Sequence, residues 1–559
     1  MNILGFICFG EHDSAACLVR DGEIIAATEE ERYTRIKYDS SFPVHSIEFC
    51  LRKGGLKISD IDLVCYSWLK SDYQLHKKLI HMLKYFPQSL KLLKYRDAVS
   101  RKNDAENVFR DTFGYAGRFQ HMNHHLCHAA NVFYLSPFEQ GSILSLDGMG
   151  DWASCWMGTG EKNQITPSKE VFWPHSLGNY YSALTQYLGF KMHSDEYKVM
   201  GLSAYGKDAY KKEFEDVLKI RPGGGYKLNL SYFNFHVGGK QKFSDKFADT
   251  FGAPATPGEK LSDRHADIAC SAQKRLEEVV LNTADHLYEN GGSENLMITG
   301  GVGLNCVANG RLLREGKFKN IFVGPSCHDS GTAVGAALLG YFSSGNKARG
   351  KIDASGYWGE SFDDQRVETA LNAKGLKPTR VDDIARTCAE LLKDGKIIAW
   401  FQGRSEFGPR ALGNRSFLAN PTIKEMKEII NVKIKKREEF RPFAPSILRE
   451  HMEAYFGEDY ASPYMTLVFN IKDEKREELP AVVHVDGTCR VQSVSKEDNA
   501  RYYELIEHFY KLTGTPVILN TSFNIQEPIV NTPEEAVACF LKTDVDYLAI
   551  HDYLVARNK

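Results

Sequence analysis

Early in the chain, an apolar strand pattern twice runs into an acidic, glycine-bearing turn and out into another strand. The first pass joins residues 3–9 to 15–19 through Gly10-Glu11-His12-Asp13-Ser14, and Asp21-Gly22 then favours a tight hairpin into 23–27. The second joins 142–146 to 153–158 through Asp147-Gly148-Met149-Gly150-Asp151. A strand–turn–strand unit met twice predicts a duplicated α/β domain, since each copy must bury its strands in the same way.

The remainder is organised around that repeat. The spacing of apolar residues predicts a long amphipathic helix over 263–290 and a strand over 295–299 that runs into Gly300-Gly301-Val302-Gly303. Residues 346–359 have linker composition, after which helices near 364–374 and 383–394 and a strand at 397–401 restart the pattern. With 559 residues more than one domain is expected, and we place them at 1–345 and 360–559. Lys+Arg 70 against Asp+Glu 72 leaves no basic field for nucleic acid. The twelve cysteines contain no C-x-x-C pair, so neither a zinc ribbon nor a disulfide framework is indicated. The apolar start lacks a basic n-region, and the uncharged stretch 330–346 is too short and too rich in glycine for a membrane span. The expectation is a soluble, cytoplasmic protein.

Four of the eighteen histidines, His121, His124, His125 and His128, fall in eight residues. His124 and His128 are spaced i, i+4, so on a helix capped by Asn123 they share a face and could converge on one metal. Asp147 closes an apolar strand, where open α/β sheets place ligand groups. Asp329 opens a small-residue helix whose free N–H groups suit a phosphate. Two imidazoles and two carboxylates without thiolate suit iron, manganese or zinc. The Gly300-Gly301-Val302-Gly303-Leu304-Asn305 turn lets backbone approach a nucleotide, although tight strand–helix packing explains the glycines equally well. In the second half, Arg410 and Arg441 sit among Gly, Pro and Phe, where a buried cation needs an anionic partner. Asn520-Thr521-Ser522 follows the strand at 516–519 and offers polar groups at its end.

These segments resemble the NodU/CmcH-type O-carbamoyltransferases, related to the hydrogenase-maturation protein HypF. The resemblance rests on Gly10–Ala16 and Thr34-Arg35-Ile36-Lys37, His124–His128, Ser145–Gly148, Lys198–Leu202 and Gly300–Asn305. It continues through His328–Gly331, Glu406–Arg415, Arg441–Pro445 and Asn520–Asn524. It implies an actin-like ATPase-type N-terminal domain and a YrdC-like C-terminal α/β twisted-sheet domain. It also implies that the latter makes carbamoyl-adenylate from carbamoyl phosphate and ATP with Mg, and that the former passes the carbamoyl group to a hydroxyl. By resemblance His124, His128, Asp147 and Asp329 hold one divalent metal, with iron favoured. Gly301, Gly303, Asn305 and Gly331 face the adenylate, and His12 and Lys37 assist transfer. Arg410, Lys435, Arg441, Arg490, Asn520 and Ser522 form the ATP and carbamoyl phosphate site. Tyr38 and Asp151 depart from the family pattern and bear on acceptor choice.

The expected partner is a small-molecule hydroxyl acceptor, a natural product or glycan, with a homodimer as the expected assembly. Two rival readings use the same glycine turns: an actin-like sugar kinase, and a non-catalytic ATP-dependent assembly module. The kinase explains neither the His–His–Asp–Asp set nor the second domain, and the module would show no multiple turnover. Residues 70–102 carry nine basic side chains against Asp72 and Asp97. They read either as a helical hairpin with a solvated basic side or as a patch for an anionic or lipid-linked acceptor.

Overall fold

The computed structural model describes residues 1–557 except Ser71, 346–348 and Glu439. Part of the expected linker, 346–348, therefore lies outside the described residues. The chain forms two compact units: Met1–Glu30 with Tyr38–Ala354, and Glu31–Lys37 with Ser355–Lys559.

The first unit contains two five-stranded sheets of the same topology. In one, β1 (Asn2–Ile7) pairs antiparallel with β2 (Ala15–Arg20), and β2 with β3 (Glu23–Glu29). Parallel strands β4 (Leu63–Tyr66) and β5 (Arg118–His121) extend the other side. The second sheet repeats this with β6 (Gln140–Gly150), β7 (Ala153–Glu161) and β8 (Gln164–Phe172) as the antiparallel meander. Its parallel strands are β9 (Asn295–Thr299) and β10 (Asn320–Phe322). The spatial order 3-2-1-4-5 thus occurs twice. This duplicated mixed α/β arrangement is the actin-like fold.

Six helices matter for the site and its surroundings: α1 (Leu75–Lys84), α2 (Arg96–Phe113), α3 (His124–Leu135), α4 (Asp263–Gly291), α5 (Cys306–Glu315) and α6 (Gly331–Ser343). Helix α6 lies directly on α3. A Cβ at Gly335 would stand 1.8 Å from the Cys127 carbonyl oxygen, so only glycine permits that approach. Residues 70–102 are not a simple hairpin: a 3₁₀ segment, Gln88–Tyr95, separates α1 from α2.

The second unit is built on an eight-stranded mixed sheet. Its middle strands are, in spatial order, β11 (Ile398–Phe401), β12 (Arg415–Ala419), β14 (Val517–Ser522) and β13 (Ala444–Leu448). Cys388, Trp400, Leu418, Tyr502, Phe509 and Ile518 belong to its core. Trp358, in the stretch read as linker, is completely buried and belongs to this unit. Glu31–Lys37 joins it because Arg32 donates to the Gly408 carbonyl at 2.8 Å and Arg35 to Pro528 and Ile529.

Candidate metal centre

Three local devices assemble the centre in the first unit. Asn123 caps α3 by accepting the Leu126 N–H at 2.9 Å, and the His124 N–H donates to Asp151 Oδ2 at 2.7 Å. One helical turn then aligns His124 with His128. Strand β6 slips register between Leu146 and Gly150, and this bulge carries Asp147. The turn expected at 147–151 falls instead on Asp151-Trp152, both with positive φ, because the strand continues through Gly150. Asp329 arrives at the N-terminal end of α6.

His124 Nε2 and His128 Nε2 lie 3.1 Å apart. Asp147 Oδ2 is 3.4 Å from the first and 3.7 Å from the second, and Asp329 Oδ1 is 3.5 Å from both. All four residues are buried, and one donor atom from each falls within 4.8 Å of the others. Tetrahedral metal–ligand bonds of about 2.1 Å imply donor separations of about 3.4 Å, so the set has the right size. Its chemistry also fits. Asp329 Oδ1 is buried without a hydrogen-bond partner among the described residues, a cost that a cation removes.

The outer contacts aim the ligand atoms. His124 Nδ1 lies 3.2 Å from the Ser67 carbonyl and His128 Nδ1 3.3 Å from Thr299 Oγ1, an arrangement that turns both Nε2 lone pairs inward. The Gly301 N–H donates to Asp147 Oδ1 at 3.1 Å. Burial opposes charge on His124, but Asp329 and Asp147 outweigh it and lift the imidazole to about 10. Burial likewise works to raise both carboxyls; the two histidines hold them well below the usual carboxylate range. His125 points away, with Nδ1 2.9 Å from Ser145 Oγ, and burial and His124 push it down to about 3. His121 faces the Trp68 carbonyl.

Several neighbours have no local sequence signature. Trp68 stacks on His124 at 4.1 Å, and the Lys102 ammonium sits 3.3 Å from the Trp68 ring centroid. Asp151, read as bearing on acceptor choice, accepts the His124 N–H. His12 Nδ1 is 2.8 Å from Asp13 Oδ2, and His328 Nε2 lies 3.6 Å from Asp13 and 3.5 Å from Glu29. Burial opposes a charged His12, yet Asp13 and Asp329 raise it well above the ordinary range. Lys37 belongs to the other unit.

The glycine turn uses its polar groups internally. Asn305 caps α5 through the Ala308 N–H, and its side chain pairs with Gln273 in both directions. Gly303 gives its carbonyl to Asn309, and a Cβ at Gly331 would meet the Ser326 oxygen at 1.9 Å.

In the second unit, Asn520 and Ser522 lie inside β14, two residues apart on one face, rather than beyond a strand end. The Asn520 amide donates to the Ala411 carbonyl, beside Arg410, at 3.2 Å. Lys435 is buried, with its ammonium on the Ser522 and Asn524 carbonyls and on Asn524 Oδ1. Those partners occupy its donors, and burial holds it well below the usual lysine range. Arg410 Nε is buried without a hydrogen-bond partner among the described residues. Arg441 lies 3.7 Å from Glu438, and Arg490 ends a short strand, Thr488–Arg490, paired with Val468–Asn470.

A duplicated actin-like domain with a buried histidine–carboxylate centre, joined to a second α/β unit, defines the class. The family model described as the carbamoyltransferase N-terminus matches residues 2–338, and that of the carbamoyltransferase C-terminus matches 389–557. The chain belongs to the carbamoyltransferase family. It is 40% identical to uncharacterized protein sll1178 of Synechocystis sp., across 100% of this chain and 97% of that one. It is also 40% identical to nodulation protein NolNO of Sinorhizobium fredii, across 98% and 79%. Nodulation protein U of the same species is 28% identical across 92% of each chain. Among solved structures, T. kodakarensis HypF aligns with 63% of this chain and 49% of its own at 14% identity. The TM-score of that alignment is 0.30. No described helix is long and apolar enough to cross a membrane.

Proposed function

We propose that this transferase is an ATP-dependent O-carbamoyltransferase acting on a hydroxyl of a small-molecule or sugar acceptor. The observation that carries the reading is the buried convergence of His124, His128, Asp147 and Asp329 in a chain of this family. In the first half-reaction, assigned to the second unit, carbamoyl phosphate loses its phosphoryl group to water. The resulting carbamate oxygen attacks the α-phosphorus of ATP and displaces pyrophosphate. Arg410, Arg441 and Arg490 are the cations proposed to meet these anions. Lys435, Asn520 and Ser522 hold the strand and loop around them, since their own contacts are internal.

In the second half-reaction an acceptor oxygen bonds to the carbamoyl carbon, and AMP leaves with the electron pair of the broken C–O bond. A divalent metal on the four ligands, iron being the choice favoured by resemblance, would supply a Lewis acid for a carbamoyl or phosphate oxygen. His12, tied through Nδ1 to Asp13, leaves Nε2 to take the acceptor proton. Asp13 and Asp329 both favour the charged ring, and a cation that offset Asp329 would shift the balance towards the neutral, proton-accepting form. Gly301, Gly303, Asn305 and Gly331 provide the adenylate's surroundings.

The test separates the two steps. His124→Ala is expected to stop transfer while pyrophosphate release that depends on carbamoyl phosphate persists. Arg441→Ala is expected to lose that release, and supplied carbamoyl-adenylate should then restore transfer. Pyrophosphate or phosphate release that ignores carbamoyl phosphate would refute the reading.

A further inference from the structure

Helix α1 is inside out. Leu75, Leu79, Ile80 and Leu83 form one stripe, with Phe86 just beyond, and these five side chains are 51%, 54%, 62%, 77% and 66% exposed. The opposite, polar face is the one that packs. His81 is buried with Nε2 2.8 Å from the His236 carbonyl, and the Lys77 ammonium lies 3.0 Å from the Phe172 ring centroid. In the following 3₁₀ segment Lys94 donates to the Gly238 carbonyl at 2.7 Å. The lobe is pinned by its polar side, and its apolar side is left outward.

Ten of the eighteen large apolar residues exposed among the described residues fall within 73–99. Isolated exposed leucines need no explanation, but a contiguous stripe marks a surface that something covers. The charge pattern selects the cover. Residues 73–96 contain five lysines and Arg96 and no carboxylate, in a chain of net charge −2. Lys84, Lys91 and Arg96 are exposed in the same segment. A second copy meeting this face through its own would set like charges against each other. A nucleic acid would match the cations but leave the aliphatic side chains without a partner. An anionic bilayer surface satisfies both, taking leucine and phenylalanine to the acyl boundary and cations to the headgroups.

We infer that residues 75–96 dock the protein peripherally on an anionic lipid membrane. The inference is independent of the carbamoyl-transfer reading, and its test needs no turnover. The full chain is floated with phosphatidylcholine vesicles with and without phosphatidylglycerol, across ionic strength. Binding to the anionic vesicles is expected to exceed binding to the neutral ones on the order of tenfold and to weaken with salt. The exposed triple change Leu79→Ser, Leu83→Ser and Phe86→Ser should abolish it. Lys84→Gln, Lys91→Gln and Arg96→Gln together should reduce it and flatten the salt dependence. Circular dichroism reports whether each variant is folded. Failure of the folded wild-type chain to float with anionic vesicles overturns the inference. So does binding that neither triple variant changes. A dimer in solution that the serine variant dissociates, without vesicle binding, would identify a second copy as the occupant instead.

Discussion

Gly150 and His124 stand so close that a Cβ on residue 150 would lie 2.2 Å from His124 Cδ2 and 2.9 Å from its Cγ. The bulged end of β6 therefore seats the imidazole as well as presenting Asp147. A methyl at 150 must push the ring off its position. Gly150→Ala is expected to weaken metal binding by about tenfold or more, in the range seen for disturbed outer-shell support. Metal analysis of the purified variant, beside its melting temperature, checks this. Full metal content with an unchanged melting temperature would mean the ring keeps its place.

The stack of Lys102 on Trp68 on His124 predicts a division of effects. Burial lowers the Lys102 ammonium while Asp329, Asp151 and Glu11 act to keep it charged. Lys102→Met should leave metal content intact and lower transfer on the order of tenfold, because it removes a buried cation on which Asp329 and Asp151 act. Trp68→Ala should lower metal content, because the ring that backs His124 is gone. Equal metal loss in both variants would assign Lys102 a packing role only.

Glu406 organises the loop that carries Arg410. Its Oε1 accepts the N–H groups of Leu412, Asn414 and Arg415 at 2.8, 2.9 and 3.2 Å, and the residue is buried. Glu406→Ala strands these donors and is expected to cost about 3 kcal/mol; Glu406→Gln keeps an acceptor and should cost about 1 kcal/mol. Urea unfolding of both variants measures the difference. Equal costs would show that solvent replaces the carboxylate.

His236 sets a pH dependence. Burial, then His81 and Lys84, push its imidazole down to about 4, against about 6.5 in an unfolded chain. Between these values the unfolded state binds more protons, so stability falls as pH drops from about 6.5 towards 4 and is level above that range. His236→Phe keeps the backbone carbonyl that His81 uses and should flatten that part of the profile. An unaltered slope would place the acid sensitivity elsewhere.

Strand and turn signals are local, and they were legible: β1 to β3 and the 263–291 helix follow from alternation, periodicity and Asp21-Gly22. Spacing alone put His124 and His128 on one face. By residue type the four donor groups could be recognised as metal chemistry. Sequence did not reveal that β6 bulges at Asp147, since a register slip depends on the partner strand. The roles of Trp68 and Lys102 depend on contacts between residues 34 and 56 positions apart, and no short-range pattern encodes those.

Sequence by itself thus determined the repeated strand unit, the helices and the kinds of ligand available, because backbone preference and side-chain chemistry are properties of neighbouring residues. Tertiary structure decided which of those groups meet. Asp329 lies about two hundred residues beyond the histidines and reaches them because Gly335 lets α6 close on α3, whereas the register slip of β6 presents Asp147. It also decided what is buried. Lys435, which the resemblance assigns to the ATP and carbamoyl phosphate site, lies in the interior on Asn524 and Ser522, while the leucines of α1 face outward. Burial is set by what packs against a face, and a pattern of apolar residues fixes the face without naming its partner.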